Sequence, residues 1–489
     1  MKSGSEINRR EFLRVVGVGA AAVALPNLSF AAKRLAKSKR PNFVFVFADD
    51  MGWGDLGCYG NPHIKTPNLD RLAKQGMLFT NFYVNASVCS PSRTAVMTGH
   101  FPARHGIHGY LADDQLNEVR GMPNWLDPKA HMLTRLLQHD GYSIGHFGKW
   151  HLGGSEGEEG YSIAPTPDKY GIDDYRVLVG NGNIWHNTEV DQWWSRSSQL
   201  FVDETIGFIE KNCDKPFYVN LWLLDPHTIL DPTKEQMKPY SKFGPRGEAG
   251  KRYKGAQQVY YSVVTNADKQ VGRLFNKLDE LGLTDNTVVI FSSDNGPEDI
   301  AFYQIASHSG VGSPGPFRGR KRSIYEGGIR MPFIIRWPGG KVPAGKVDNS
   351  TVMSCVDLLP TICGIAGVKL PVDLKPDGED MSAAFSGKPV RRSKPLMWEY
   401  LQGFHGHPWN RPPLLAIRDG KWKLLMNPDK SRIELYDLVA DPRESDNLAD
   451  QNQDVVNKLS AKLVKWTATL PKERVTHQDA GKNDYPWPK

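Results

Sequence analysis

Four stretches of this chain run into residues that do chemistry. FVFVFA (43–48) ends in Asp49-Asp50, and YSIGHF (142–147) in Gly148-Lys149-Trp150-His151. FYVNLWLL (217–224) ends in Asp225-Pro226-His227, and TVVIF (287–291) in Ser292-Ser293-Asp294-Asn295-Gly296. A fifth stretch, Cys89-Ser90-Pro91-Ser92-Arg93, is of another kind. Pro91 suits the first turn of a helix, which puts Cys89 near a helix N-terminus. Free N–H groups and the helix dipole favour an anion there. Arg93, one turn on, reaches back to the same anion. One charged cluster at a strand end is easily chance, whereas four point to a common site.

The elements that must position these residues are read from the pattern between them. The four apolar runs are hydrophobic on both faces, as buried parallel strands are. Helical patterns separate them, at Thr66–Gly76, Leu133–His139 and Val259–Leu281. In the last, Val263, Val264, Ala267, Val271, Leu274 and Leu278 recur at a period near 3.6. The alternation predicts an α/β fold over residues 40–385, with a doubly wound, mostly parallel central sheet. Ligands of such sheets bind outside the carboxyl ends of the strands, where all four clusters fall. Beyond the polar stretch at 385–395, short strands are expected at Leu414–Arg418, Trp422–Met426 and Ile433–Asp437, then a helix. Residues 395–489 are therefore expected to form a small α+β subdomain with an antiparallel sheet.

Composition narrows the partners. A formal net charge of +7 over 489 residues, with no Lys/Arg-rich stripe, argues against a nucleic-acid partner. Asn8-Arg9-Arg10-Glu11-Phe12-Leu13, the apolar run Val15–Leu25 and small residues at 29–32 read as an export signal over residues 1–32. Its arginine pair resembles a twin-arginine signal, which implies the twin-arginine export machinery as a partner. The expected location is periplasmic or extracellular, or membrane-tethered if the signal stays uncleaved. The apolar run is short for a bilayer span. The cysteines at 58, 89, 213, 355 and 363 show no zinc spacing. Whether Cys355 and Cys363 pair is left open.

Cys89-x-Pro91-x-Arg93 followed by Thr98-Gly99 resembles the signature of type I, formylglycine-dependent sulfatases of the alkaline-phosphatase-like superfamily. Further matches follow in that family's order: Asp49-Asp50, Gly148-Lys149-Trp150-His151-Leu152-Gly153, Pro226-His227-Thr228, Ser293-Asp294-Asn295-Gly296, and Lys321 before Tyr325-Glu326-Gly327-Gly328-Ile329-Arg330. The resemblance implies that Cys89 becomes formylglycine (3-oxoalanine), made by a formylglycine-generating or anaerobic sulfatase-maturating enzyme. It implies one calcium ion held by Asp49, Asp50, Asp294, Asn295 and the modified Cys89. An oxygen-only set suits calcium, or less well magnesium, but not zinc. By the same resemblance Arg93, Lys149, His151, His227 and Lys321 surround the sulfate, with His227 favoured over Lys321 as general acid. Lys321 also reads as part of a surface basic cluster with Arg318, Arg320 and Arg322.

The expected substrate is a sulfated carbohydrate. Two aromatic-rich segments are candidates for contacting it, since ring faces suit sugars. One is 154–196, with Tyr161, Tyr170, Tyr175, Trp185, His186, Trp193 and Trp194. The other is 404–411, with His405 and His407. Residues 307–318 look most like those of enzymes acting on galactose or N-acetylgalactosamine sulfates, and His308 there either contacts substrate or caps a turn. Two rivals stand beside this reading: a phosphate mono- or diesterase of the same superfamily, and an inactive glycan-binding homologue.

Overall fold

β1 (Asn42–Ala48) is buried along its whole length, and it lies inside a nine-stranded sheet. A computed structural model of the chain describes residues 40–153, 164–178, 193–244, 255–300, 308–402 and 406–472. The expected export signal lies outside them. The other strands of the sheet are β2 (Met77–Tyr83), β3 (Ser143–Lys149), β4 (Asp174–Leu178), β5 (Phe217–Trp222), β6 (Thr287–Ser293), β7 (Arg330–Arg336), β8 (Lys346–Asp348) and β9 (Met353–Ser354). Their order is β4-β3-β5-β1-β6-β7-β2-β8, with β9 also paired to β2. Every pairing is parallel except those of β7, which runs against both β6 and β2.

Register makes the site. Phe47 pairs with Trp222 and Ser292, Gly148 pairs with Trp222, and Ala48 pairs with Ser293. Four neighbouring strands thus stop at one level, and the residues that follow them emerge together. Gly148 is needed at that level: its φ is +116°, and a Cβ would lie 1.9 Å from the Trp222 carbonyl oxygen.

Sequence patterning missed β2 and β7, although they complete the sheet. Pro332 stands inside β7, where a proline argues against an inner strand. The ladder accommodates it by shifting register between Phe79 and Phe82, on either side of the position facing Pro332. The aromatic stretch 154–196 also needs correcting. Part of it is β4, and the helix Trp193–Asn212 begins within it. Tyr170 is fully buried, with its hydroxyl donating to the Leu126 carbonyl at 2.7 Å and its ring 5.1 Å from that of Trp150. Trp193 is buried, and Tyr175 and Trp194 pack on the core. These rings are core material because two elements cover them. Tyr161, Trp185 and His186 lie outside the described residues.

The C-terminal sheet is antiparallel, in the order β10 (Leu396–Glu399), β11 (Leu415–Asp419), β12 (Trp422–Met426), β13 (Glu434–Asp437). Val456, Leu459, Leu463 and Trp466 bury one face of the helix Gln453–Thr467. The sheet shares a continuous apolar core with the main domain. A buried charged seam also joins the two. Lys423 Nζ of β12 lies 3.0 Å from Glu326 and 2.8 Å from Glu444, and Tyr83 Oη donates to Glu326 at 2.5 Å. This accounts for the Tyr325-Glu326-Gly327-Gly328 stretch. Tyr325 donates to Glu434 at 2.6 Å, Glu326 meets Lys423, and a Cβ on Gly328 would sit 1.9 Å from the Ser323 carbonyl oxygen. Cys355 and Cys363 are free thiols. Among the described residues no helix is long and apolar enough to cross a membrane.

Lys423 holds two carboxylates with no exposure to water, so Lys423→Met should lower stability near neutral pH by about 3–5 kcal/mol, read from denaturant unfolding. Burial and the neighbouring Glu326 raise Glu444 to about 7, against the pull of Lys423. The deficit should therefore shrink as pH falls below neutrality and the stranded carboxyls take up protons.

Candidate active site

The side chains at the common strand level converge. Asp49 and Asp50 follow β1, and Asp294 and Asn295 follow β6. Asp294 N donates to the Ala48 carbonyl at 3.1 Å, and Asp50 N donates to Asp294 Oδ1 at 3.1 Å. Asp50 turns through the left-handed region, with φ +64°, which Asp tolerates better than most residues. Cys89 opens the helix Cys89–Thr98, every residue of which is buried. The helix presents Arg93 to the same place. Its guanidinium donates to Asp294 Oδ2 at 2.6 Å and to the Lys149 carbonyl at 3.0 Å, and lies 5.0 Å from the Trp222 ring centre. Cys89 lies within electrostatic reach of Arg93, Lys321 and Asp294.

Three carboxylates face three permanent cations here. Lys149 Nζ is 2.5 Å from Asp49 Oδ2, Arg93 is 3.5 Å from the same oxygen, and Lys321 Nζ is 2.7 Å from each oxygen of Asp50. Burial works against the charge of Asp49, but Lys149, His227 and Arg93 outweigh it and hold the carboxyl far below its ordinary range. Asp294 is driven up, by burial and then by the charge of Asp49. Lys321 is buried, so the surface basic cluster expected around it is not what forms. Arg322 pairs with Glu298, Arg318 stacks 3.8 Å over Tyr325, and Arg320 donates to the carbonyls of Glu298, Gly310 and Gly312.

The donor set fits a hard divalent cation. Oδ1 of Asp49 and Oδ1 of Asn295 are buried and accept no hydrogen bond, while Oδ2 of Asp49 meets the Lys149 ammonium, and two bare buried oxygens are costly unless something positive sits between them. Asn295 spends its amide on Asp50, donating to Oδ1 at 2.7 Å, which leaves its own oxygen for a ligand. Asp49, Asp50 and His227 bring ligand atoms within 4.8 Å of one another. Oxygens dominate the set, as calcium and magnesium require.

Two imidazoles complete the ring of groups. His151, with φ +51°, donates from Nε2 to the Leu111 carbonyl at 2.9 Å, which leaves Nδ1 buried and without a partner. Burial and Lys149 push it down to about 3. His227 donates from Nδ1 to the Thr228 carbonyl at 2.7 Å, so its Nε2 lone pair lies on the site side, 3.7 Å from Asp50. Burial, Lys321 and Lys149 take it down to about 4.

The specificity residues are dispersed. His405 lies outside the described residues. His308 precedes the turn Ser309–Val311 and gives it no side-chain cap. His407 accepts from Trp409 N at 3.4 Å, and its own N donates to Asp299 at 2.9 Å. Three residues overlooked in the sequence hold the site's walls. Asp55 accepts from Gly52 N, Ser313 N and Tyr260, bracing the loop after Asp50 on the helix Ala256–Glu280. Glu298 anchors Arg322, and Asp299 anchors the 407–410 turn, also accepting from Asn410 at 2.7 Å. The one signal for Glu298 and Asp299 was an acidic pair beginning three residues beyond Asn295.

Residues 41–368 match the family described as Sulfatase, and residues 317–469 match N-sulphoglucosamine sulphohydrolase, C-terminal. An N-acetylgalactosamine-6-O-sulfatase of Bacteroides thetaiotaomicron is 30% identical, over 87% of this chain and 93% of its own. Arylsulfatase A of Homo sapiens is 32% identical, over 80% of this chain and 76% of its own. The crystal structure of Ps i-CgsB in complex with k-i-k-neocarrahexaose superposes with a TM-score of 0.73 at 26% identity, covering 90% of this chain and 95% of that one.

A cation among the orphaned oxygens should stabilise the fold. At a hundredfold excess over its Kd, a divalent cation that fits the site should add about 2.7 kcal/mol over protein stripped with chelator, read as a rise in Tm. Asp49→Asn, which leaves the packing nearly unchanged, should lose most of that rise.

Proposed function

The chain belongs to the sulfatase family, and from that premise we propose that it hydrolyses a sulfate ester of a glycan, with formylglycine at position 89 and a calcium ion. That it is a sulfuric ester hydrolase follows from the family. The glycan, with a lean toward N-acetylgalactosamine or galactose sulfate, rests on the relatives and on residues 307–318. One observation carries the chemistry: Cys89 opens a buried helix beside oxygens that have no partner of their own.

Hydrated formylglycine supplies one hydroxyl to take the sulfuryl group and a second to release it, and bound calcium offsets the ester's charge and polarises its S–O bonds. The chain's residues do the rest. Arg93 is fixed by Asp294 and the Lys149 carbonyl, so it meets developing negative charge without reorganising. Lys149 and Lys321 bind sulfate oxygens. His151 Nδ1, with no other partner, accepts the proton of a hydroxyl at position 89. As the S–O bond to the sugar breaks, the leaving oxygen takes its proton from His227. Its Nδ1 is already committed to Thr228, so only the protonated ring can donate from Nε2. An anionic ester beside it raises its affinity for that proton.

The reading extends to biogenesis. A maturating enzyme oxidises Cys89, and the twin-arginine-like N-terminus carries the chain out of the cytoplasm.

Protein from its native host should yield a Cys89 tryptic peptide about 18 Da lighter than the thiol form, the mass change of exchanging the thiol for an aldehyde oxygen with loss of two hydrogens. An unmodified thiol would sink the mechanism. Defined sulfated oligosaccharides should release sulfate, and Cys89→Ala should cut the rate at least about a thousandfold. A phosphate ester turned over faster than every sulfate ester would instead favour the phosphoesterase reading.

A further inference from the structure

Lys321 stands between two carboxylates. Its Nζ is 2.7 Å from both oxygens of Asp50 and 3.8 Å from Oε2 of Glu298. Glu298 is buried and firmly held. Arg322 meets it with both terminal nitrogens, one of them 3.2 Å from Oε2, and Asp299 N donates to Oε1 at 2.8 Å. Arg322 is itself fixed, with φ +70° and its N donating at 2.8 Å to the carbonyl of Ser87, two residues before Cys89. Arg322 and Asp299 N make their closer contacts to Oε1, and Oε2, the more loosely held oxygen, is the one 3.8 Å from Lys321.

The position of Lys321 poses a conflict. The two oxygens it grips belong to Asp50, a ligand the cation requires. An ammonium and a divalent ion cannot both sit on one carboxylate without strong repulsion. Lys321 is also too buried to escape to water, so it needs another anionic seat nearby. Glu298 is the carboxylate on the other side of the ammonium.

We propose that Glu298 is a positioning residue: it is the second seat of Lys321, drawing the ammonium off Asp50 and so releasing Oδ2 to the cation, while Oδ1 keeps the Asn295 amide. The inference rests on the metal reading above. It assigns a task to an acid that touches neither the cation's ligands nor position 89. It also explains why the side chain is tied so tightly, since a seat that moved with Lys321 would free nothing.

A negative charge near a cation site helps binding whatever its role, so the test must separate a general field from a seat. Calcium affinity is measured calorimetrically on the full chain for wild type, Glu298→Gln, Lys321→Met and the double variant. Circular dichroism checks each fold. Glu298→Gln should weaken calcium about tenfold when Lys321 is present, and less than about twofold in the Lys321→Met background, the coupling expected of residues in contact. An equal loss in both backgrounds, or no loss in either, overturns the proposal. A wild-type chain that takes up no calcium overturns the metal reading and this inference with it. Should Glu298→Gln fail to fold, Glu298→Asp retains the charge but draws it back by one methylene. It should then show a smaller loss that still depends on Lys321, and a loss independent of Lys321 again overturns the proposal.

Discussion

Asp49, Asp50 and Asp294 are brought together out of water by the register of β1 and β6, and the rest of the molecule answers that concentration of like charge. Each carboxylate would repel the next at close range in a medium that screens poorly. Arg93, Lys149 and Lys321 bring the set to neutrality, each from a different element: a helix, a strand end and a loop. A neutral set in which Asp49 and Asn295 still have unpartnered oxygens is poised to accept a dication. Once a dication is bound, the surroundings become net positive, and an anionic ester is the natural complement. Cation and substrate are thus linked by charge before any shape is considered.

The strand-end clusters were legible because parallel strands buried on both faces appear as uninterrupted apolar runs, and the first charged residue after each run marks where the strand leaves the core. Cys89 and Arg93 were legible because proline in a first turn fixes the direction of the chain. β7 was not, since Pro332 hides an inner strand whose ladder is locally broken. Glu298 was not, since an acidic pair beyond a Gly-Pro turn has the same composition as a solvated loop. Only the fold shows that Arg322 and Lys321 close over it. Tyr170 and Trp193 misled for the converse reason. Aromatic density is the same in a sugar platform and in a packed shell, and what distinguishes them is whether another element lies on top.

The C-terminal sheet is part of the same electrostatic construction. Lys423 reaches from β12 to Glu326, which opens the segment between the Lys321 loop and β7. Gly328 accepts from Gly296 N at 3.0 Å through its carbonyl, so the turn after Asn295 is tied to that segment. A displacement of Glu326 would therefore be felt two contacts away, at the metal-ligand loop. On the other side Asp299 fixes the turn that carries His407 and the half-exposed Trp409. The subdomain holds the loop that bears Lys321 and delivers a second loop beside it.

Both histidines are held by backbone carbonyls in the tautomer that leaves a lone pair toward the site, yet the proposed mechanism gives them opposite tasks. His151 is sealed by burial, and burial first, then Lys149 and Arg93, favour its neutral form. It is suited to accepting a proton. His227 lies against Asp50, and its neutrality depends in part on the positions of Lys321 and Lys149. When those ammonium groups turn to a sulfate, the field on His227 changes from two nearby cations to an added anion, and protonation becomes easier. On the proposed reading Lys321 leaves Asp50 for Glu298 as the cation binds, and only its later approach to the sulfate brings the anion that favours a protonated His227. An acid that became competent without substrate would have no such link to the ester, and the short Lys321–Asp50–His227 chain of contacts supplies it.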